Sequence, residues 1–295
     1  MRIKPKFLYN IYNSKEEFVI EKSCNRSLVG KVYWKNVCLP SVLYGFKITK
    51  IKNEYVNKLQ VIENNVYRKI LRAPSYTPVA TLRAEIGSSL MKSRIMKDKL
   101  KYFRSIFDRN NDILKTIAND ERSILSKETN LCLQEIQLTK QDLLSNSKDL
   151  IDKKVREWDN KNWADEIEKK TSLILYRQFK DQIKEEKYYN DEKSLIRFRF
   201  KTNTLLLNDR KRHQNENTKC SLCGYNLEDL SHFLLECSCI EEERQKIKYL
   251  QRPRIENVSL LMGKLIFEMY MDYENELYSM WKRRKLLLEN LQEVN

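Results

Sequence analysis

Glycine and proline are scarce, five of each in 295 residues. Glycine supplies the left-handed backbone of tight turns, and proline stops helices. A chain poor in both is expected to consist of long helices with few sharp reversals. No apolar run of about 18 residues occurs, which excludes a membrane-spanning helix. The opening stretch, MRIKPKFLYNIYNSKEEF, is basic but lacks the apolar centre of a secretory signal. No two aspartates are adjacent anywhere, and histidine occurs only twice.

Positive charge is what the chain has in excess. Lys+Arg number 56 against 41 Asp+Glu, for a net charge of +15. That sign favours nucleic acid over an anionic membrane as partner. The abundance of Lys, Asn and Ile leaves a second reading open, in which the charge is incidental and the chain is a zinc-containing protein-interaction or scaffold module. Hydrophobic residues, at 41%, suffice for a core.

One of the two histidines falls inside a cysteine pattern: Cys220-Ser-Leu-Cys223, eight residues, His232, four residues, Cys237. A Cys-x2-Cys pair brings two thiolates within reach of one ion. The histidine and the third cysteine complete the donor set of a closed tetrahedral zinc site. With four ligands in place no position is left for water, so the zinc is read as structural. Gly224 follows the pair, where a turn beneath a metal needs a residue without Cβ. Leu230, Phe233 and Leu234 recur at helical spacing. His232 and Cys237 would stand about 140° apart on an ideal helix, so Cys237 is expected at or beyond a helix end. Cys239 is an alternative fourth ligand and His213 a weaker reserve; buried cysteines beside a chance histidine are the competing reading. Cys24, Cys38 and Cys132 read as free thiols of a reducing compartment.

Apolar periodicity places the helices. Residues 1–27 show no clear period and read as an extension. In 28–46, Leu28, Val32, Val37 and Leu39 are predicted to line a helix that stops at Pro40. Residues 54–72 carry Tyr55, Leu59, Ile62, Val66 and Ile70 along one face. A short helix over 81–86 closes at Gly87. Residues 89–108 form another, with Met91, Ile95, Leu100, Phe103 and Phe107 inward. Signals are weaker over 113–117 and 131–144, and Ser-Asn-Ser at 145–147 marks a boundary. Residues 150–188 read helical again, anchored by Trp158, Trp163, Leu173, Leu175, Tyr176 and Phe179. A charged helix over 241–250 is broken by Pro253, and the last helix carries Tyr270, Tyr273, Leu277 and Trp281.

Four segments, in order, give the chain a family likeness. The first is Leu39-Pro40-Ser41-Val42-Leu43-Tyr44-Gly45. The second is Leu59-Gln60-x-x-Glu63-Asn64-x-x-x-Arg68-x-x-Leu71-Arg72, with Thr77-Pro78 and Leu82-x-x-Glu85-Ile86-Gly87 after it. The third is Ser194-Leu195-Ile196-x-Phe198-Arg199. The fourth runs from Cys220-x2-Cys223 to His232-Phe233-Leu234-Leu235-Glu236-Cys237. Together they resemble the C-terminal thumb and zinc-knuckle region of reverse transcriptases encoded by non-LTR (LINE-type) retrotransposons, over roughly residues 28–245. A polymerase of that family holds its magnesium ions with adjacent aspartates in Tyr/Phe-x-Asp-Asp. Without that pair, and without fingers and palm, the chain is expected to be a non-catalytic fragment. The carboxylate–lysine runs at Asp152 and Glu168 echo nuclease motifs but read as surface charge.

The resemblance implies an all-α fold: an extension over 1–27, a thumb-like helical bundle over 28–145, a helical connector over 146–214, a zinc knuckle over 215–245 and C-terminal helices over 246–295. The implied partners are RNA and/or DNA, and polymerase domains carried on another chain; the implied location is intracellular and nuclear.

Candidate contacts follow from charge. Arg197, Arg199 and Lys201 alternate with Phe198 and Phe200. A strand would put the cations on one face; a helix, the preferred reading, would make the phenylalanines core. Arg210, Lys211 and Arg212 precede the first zinc ligand. Lys282, Arg283, Arg284 and Lys285 form a second cluster, equally explained by a solvated helix end or a nuclear-import signal. Phosphate contacts supply affinity without sequence choice, so binding is expected to be salt-sensitive and weakly selective.

Overall fold

The computed structural model describes residues 26–145, 148–209, 217–246 and 274–293, and every regular element among them is helical. Residues 1–25 of the extension predicted over 1–27, the boundary residues 146–147, the basic run with Arg210, Lys211, Arg212 and His213, and residues 247–273 lie outside the described residues, while Arg26 and Ser27 open the first helix.

The chain opens with α1 (Arg26–Tyr33), a π-helical turn (Trp34–Cys38) and α2 (Leu39–Leu43), which follow one another without a break. The predicted stop at Pro40 does not occur. Proline lacks an N–H and its ring collides with the carbonyl four residues back. The π turn, closed by the Leu39 amide donating to the Trp34 carbonyl, widens the helix just ahead of Pro40. The predicted inward stripe is also corrected: Leu28, Val32 and Val37 are 45 to 50% exposed. Gly30, Trp34, Cys38, Leu39 and Val42 face inward instead. Gly30 sets this rotation, because a Cβ there would lie 2.7 Å from Cγ1 of Ile70.

α3 (Asn53–Leu71) buries Val56, Leu59, Glu63, Tyr67 and Ile70, whereas Tyr55 is exposed and Ile62 and Val66 are half-buried. The inward face is thus turned from the predicted one, and a carboxylate sits at its middle. Glu63 accepts from Trp34 Nε1 at 2.8 Å and from the Tyr67 hydroxyl at 2.6 Å, and it pairs with Arg94. A buried charge stands only when paired and hydrogen-bonded, and these three donors meet that condition.

α4 (Val79–Ile86) is central. Residues 80 to 86 are all buried. Leu82 and Ile86 enter a core with Trp34, Tyr67 and Met91, while Ala80 and Ala84 enter another with Trp163 and Tyr176. Arg83 reaches Asp159 at 3.3 Å and Glu166 at 3.4 Å. Glu85 accepts from the hydroxyls of Tyr176 and Tyr188 and pairs with Lys201 at 3.2 Å. As predicted, the helix closes at Gly87, whose φ of +66° is left-handed. A Cβ at Gly87 would fall 2.6 Å from the Glu185 amide nitrogen.

α5 (Met91–Phe107) carries two inward faces. Met91 and Ile95 join the first core; Met96, Leu100, Phe103 and Ile106 join a third. α6 (Asp112–Asn119), α7 (Ile124–Glu135) and α8 (Lys140–Ser145) pack around it, and so does α9 (Lys148–Glu168) through Ile151 and Val155. One core therefore spans both sides of residues 146–147, and the division predicted there is no break in packing. A 3₁₀ turn (Thr171–Leu173) and α10 (Ile174–Phe179) follow. The predicted helix does not continue to 188: residues 180–189 run without helix past α4, where the Glu186 amide donates to the Glu85 carbonyl at 2.9 Å.

α11 (Glu192–Lys201) starts at Asp191, whose side chain accepts from the Ser194 amide. Its alternating pattern looks like a strand, yet it is a helix buried on two faces. Residues two apart on a helix differ by about 200°. Phe198 accordingly enters the first core, while Ile196 and Phe200 enter a fourth.

Candidate metal centre and basic surfaces

The fourth core holds the cysteine–histidine loop. Two turns build the site. The Cys220 amide donates to the Tyr225 carbonyl at 2.8 Å, and the Gly224 amide donates back to the Cys220 carbonyl at 2.9 Å. Gly224, at φ +77°, takes the left-handed conformation this reversal needs. Its effect is to fold Cys223 back beside Cys220.

The second turn is a π-helical segment, His232–Glu236. The Cys237 amide donates to the His232 carbonyl at 2.8 Å. An i→i+5 bond turns less per residue than an α-helix does, so it brings positions 232 and 237 toward the same side. That resolves the angular mismatch of an ideal helix, and Cys237 stands just beyond the segment's end, as expected.

The side chains of Cys220, Cys223, His232 and Cys237 place their ligand atoms within 4.8 Å of one another and can hold a metal ion. The Cys220 and Cys237 sulfurs are 3.9 Å apart, and Cys223 Sγ is 3.3 Å from His232 Nε2. A tetrahedral ion with ordinary zinc bond lengths needs edges of about 3.8 Å between sulfurs and about 3.5 Å between sulfur and nitrogen. The donor set fits. Cys239 is exposed and outside the group, which Cys237 completes.

The surroundings hold the ligands in place. His232 is buried, its Nδ1 lies 3.6 Å from the Glu236 carboxylate, and the Tyr225 ring stacks on it at 4.7 Å with the planes 1° apart. At 3.6 Å the carboxylate makes no hydrogen bond, and Nδ1 is a buried nitrogen without a partner; Nε2 is the ring nitrogen turned toward Cys223. Burial raises the Cys220 thiol, and it pushes Cys237 up to about 12. Metal binding must therefore displace protons from these sulfurs.

Behind the ligands lie Leu230, Phe233 and Leu234, packed on Ile196 and Phe200 of α11 and on Leu277, Met280 and Trp281 of α13 (Glu274–Glu293). Phe233 meets Trp281 edge-on at 6.0 Å. Glu228 is buried with one oxygen 3.7 Å from Cys220 Sγ. Arg284 of α13 neutralises it, with nitrogens at 2.8 and 2.9 Å. A 3₁₀ turn (Ser238–Ile240) and α12 (Glu241–Gln245) close the loop, and Arg244 donates to the Leu234 and Cys237 carbonyls at 2.7 Å each.

The predicted nucleic-acid contacts that lie among the described residues are not brought together. Lys201 is 4% exposed and committed to Glu85 and Glu186, and Arg284 is committed to Glu228. Both belong to the interior, a correction that follows from the cost of leaving those buried carboxylates unpaired. Arg197 donates to the Lys187 carbonyl and stacks over Tyr188 at 4.8 Å. Arg199 is half-buried, and burial lowers its pKa. Lys282 lies over Tyr278, Arg283 is 4.0 Å from Glu242, and Lys285 pairs with Glu192 at 3.0 Å. Consecutive helical residues point about 100° apart, so the run from 282 to 285 is spread around α13.

A different basic surface is present. A cleft of about 810 Å³ lies between the α1–α2 segment with its following turn and α5. Its walls carry Lys35, Lys47, Arg94, Lys97, Lys101 and Arg109, against Asp98 as the one acidic lining residue. Arg94 pairs with Glu63, and Lys97 and Lys101 share Asp152 at 3.0 and 2.8 Å. Lys35, Lys47 and Arg109 have no carboxylate partner among the described residues. The sequence did carry a signal: Arg94, Lys97 and Lys101 recur at i, i+3 and i+7, the spacing of one helix face, opposite the apolar stripe of α5.

No protein-family model, curated protein or solved structure matches the chain.

Proposed function

We propose that the chain is a non-catalytic, nucleic-acid-binding module whose cysteine–histidine loop is a structural zinc knuckle, akin to the thumb and knuckle of a retrotransposon reverse transcriptase. Zinc is the ion that three thiolates and one imidazole favour. The observation that carries the binding role is the cleft, a concave surface whose charged lining is mostly cationic. Such a surface concentrates polyanions and holds phosphates without reading bases. The four sequence segments support the family reading. Through Phe233 and Leu234 the knuckle also ties α11 to α13.

The test is binding of the zinc-loaded protein to RNA, a DNA duplex and an RNA–DNA hybrid across salt concentration. Affinity should fall steeply as salt rises. Replacing Lys35, Lys47 and Arg109 together by Gln should flatten the slope of log K against log salt by about 2 to 3, since each neutralised phosphate contributes about 0.7 to 0.9. An unchanged slope rejects the cleft as the binding surface. One observation favours a protein-interaction role instead: Ile113 and Ile117 of α6 and Ile124 of α7 are 44 to 75% exposed, so a pull on hydrophobic partners that survives loss of the cleft charges would support that second reading.

A further inference from the structure

The cleft holds more than charge. Tyr44 stands in the turn after α2 and lines the cleft with its side chain 82% exposed, the highest figure among the exposed large hydrophobic residues described. Tyr102 of α5 lines it too, with Lys47 over its ring at 5.2 Å. Deeper in, Ser93 is 1% exposed, lines the same cleft, and has a hydroxyl with no hydrogen-bond partner. Cations, an open aromatic face and an unpartnered hydroxyl therefore share one concave surface.

We infer that the cleft takes single-stranded nucleic acid, with an unpaired base stacked on Tyr44 and the backbone held by Lys35, Lys47 and Arg109. The inference rests on the nucleic-acid reading above and narrows it. An exposed ring in a basic groove is a stacking platform, tolerant of sequence because every base has a π-face. A duplex keeps its base faces inside its own stack and offers phosphates outward. It would use the cations and leave the Tyr44 face idle. The tyrosine is also placed without cost: Gly45 beside it takes φ +79°, which turns the chain and projects residue 44 away from the core.

The experiment is a fluorescence-anisotropy titration of the zinc-loaded full chain at low salt. Three probes of equal length are used: a mixed-sequence single strand, the same strand annealed to its complement, and an abasic strand with the same backbone. The intact single strand should bind at least about fivefold more tightly than the abasic one, and more tightly than the duplex. Tyr44→Ala should remove that preference, and Tyr44→Trp should restore it. Because Tyr44 is exposed, neither change should disturb folding, which the helical circular-dichroism signal checks. If the intact, annealed and abasic probes bind alike, and Tyr44→Ala changes nothing while the triple lysine–arginine variant still weakens binding, the single-strand inference is overturned and the nucleic-acid reading stands. Absence of binding to all three probes overturns both.

Discussion

The Cys237 amide donates to the His232 carbonyl at 2.8 Å across five residues, and this bond turns both side chains to one point. On the proposed reading, each chain should therefore bind one zinc ion. Cys237→Ser should abolish tight binding, while Cys239→Ser should leave it intact. Metal content of the purified variants by mass spectrometry decides between these two cysteines.

Loss of the metal should not stay local. Cys220→Ser or His232→Ala should raise amide exchange over residues 217–246 and also over α11 and α13, because Phe233 and Leu234 share a core with Phe200 and Trp281. α3, whose apolar face lies in a different core, should keep its protection. Exchange mass spectrometry with and without a chelator reads this, and equal loosening of α3 would refute the separation.

Thiol chemistry offers an independent check. Cys239 is exposed and should alkylate rapidly in the zinc-bound protein. Cys132 is partly buried, and desolvation pushes its thiol up to about 11. A raised pKa means less thiolate at a given pH, so its labelling at pH 8 should be slower than that of an ordinary thiol by about two orders of magnitude, and should climb until about pH 11. The four ligands should label only after chelation.

Much of this was legible in the sequence, and the misses share a cause. The helices predicted over 81–86 and 89–108 are present as 79–86 and 91–107, the second with Met91, Ile95, Leu100 and Phe103 buried as expected, and the four residues whose ligand atoms the structure brings together were picked out from spacing alone. α1 was predicted in the wrong rotation, and α3 slightly turned, with Leu59 and Ile70 buried, Ile62 and Val66 at the core's edge and only Tyr55 exposed. Their buried faces are marked by Gly30 and Glu63, a residue with no side chain and a residue with a charge, neither of which registers in an apolar pattern. Lys201 and Arg284 were assigned to the surface for the same reason. Nothing in a single sequence says which cation has a buried carboxylate waiting far along the chain.

Those buried pairs make a prediction of their own. Lys201→Met should cost about 3 kcal/mol by leaving Glu85 short of a partner, and should leave the salt dependence of binding unchanged. Arg109→Gln should do the reverse. Denaturant melts combined with binding titrations separate the two.

Gly87→Ala should be among the most damaging small substitutions, at about 2 kcal/mol or more. It combines a left-handed φ with a contact of 2.6 Å to the Glu185 backbone nitrogen, and backbone cannot swing aside as a side chain can. The thermal midpoint of the variant reports it.

The pairing of Glu228 with Arg284 has a temporal side. During synthesis Cys220, Cys223, His232 and Cys237 are made before Trp281 and Arg284, so the loop then has only the α11 part of its apolar floor and lacks the cation that neutralises the carboxylate beside Cys220. A metal captured at that stage would sit in an unfinished pocket. The loop is complete only once α13, made after it, has docked and supplied Trp281 and Arg284.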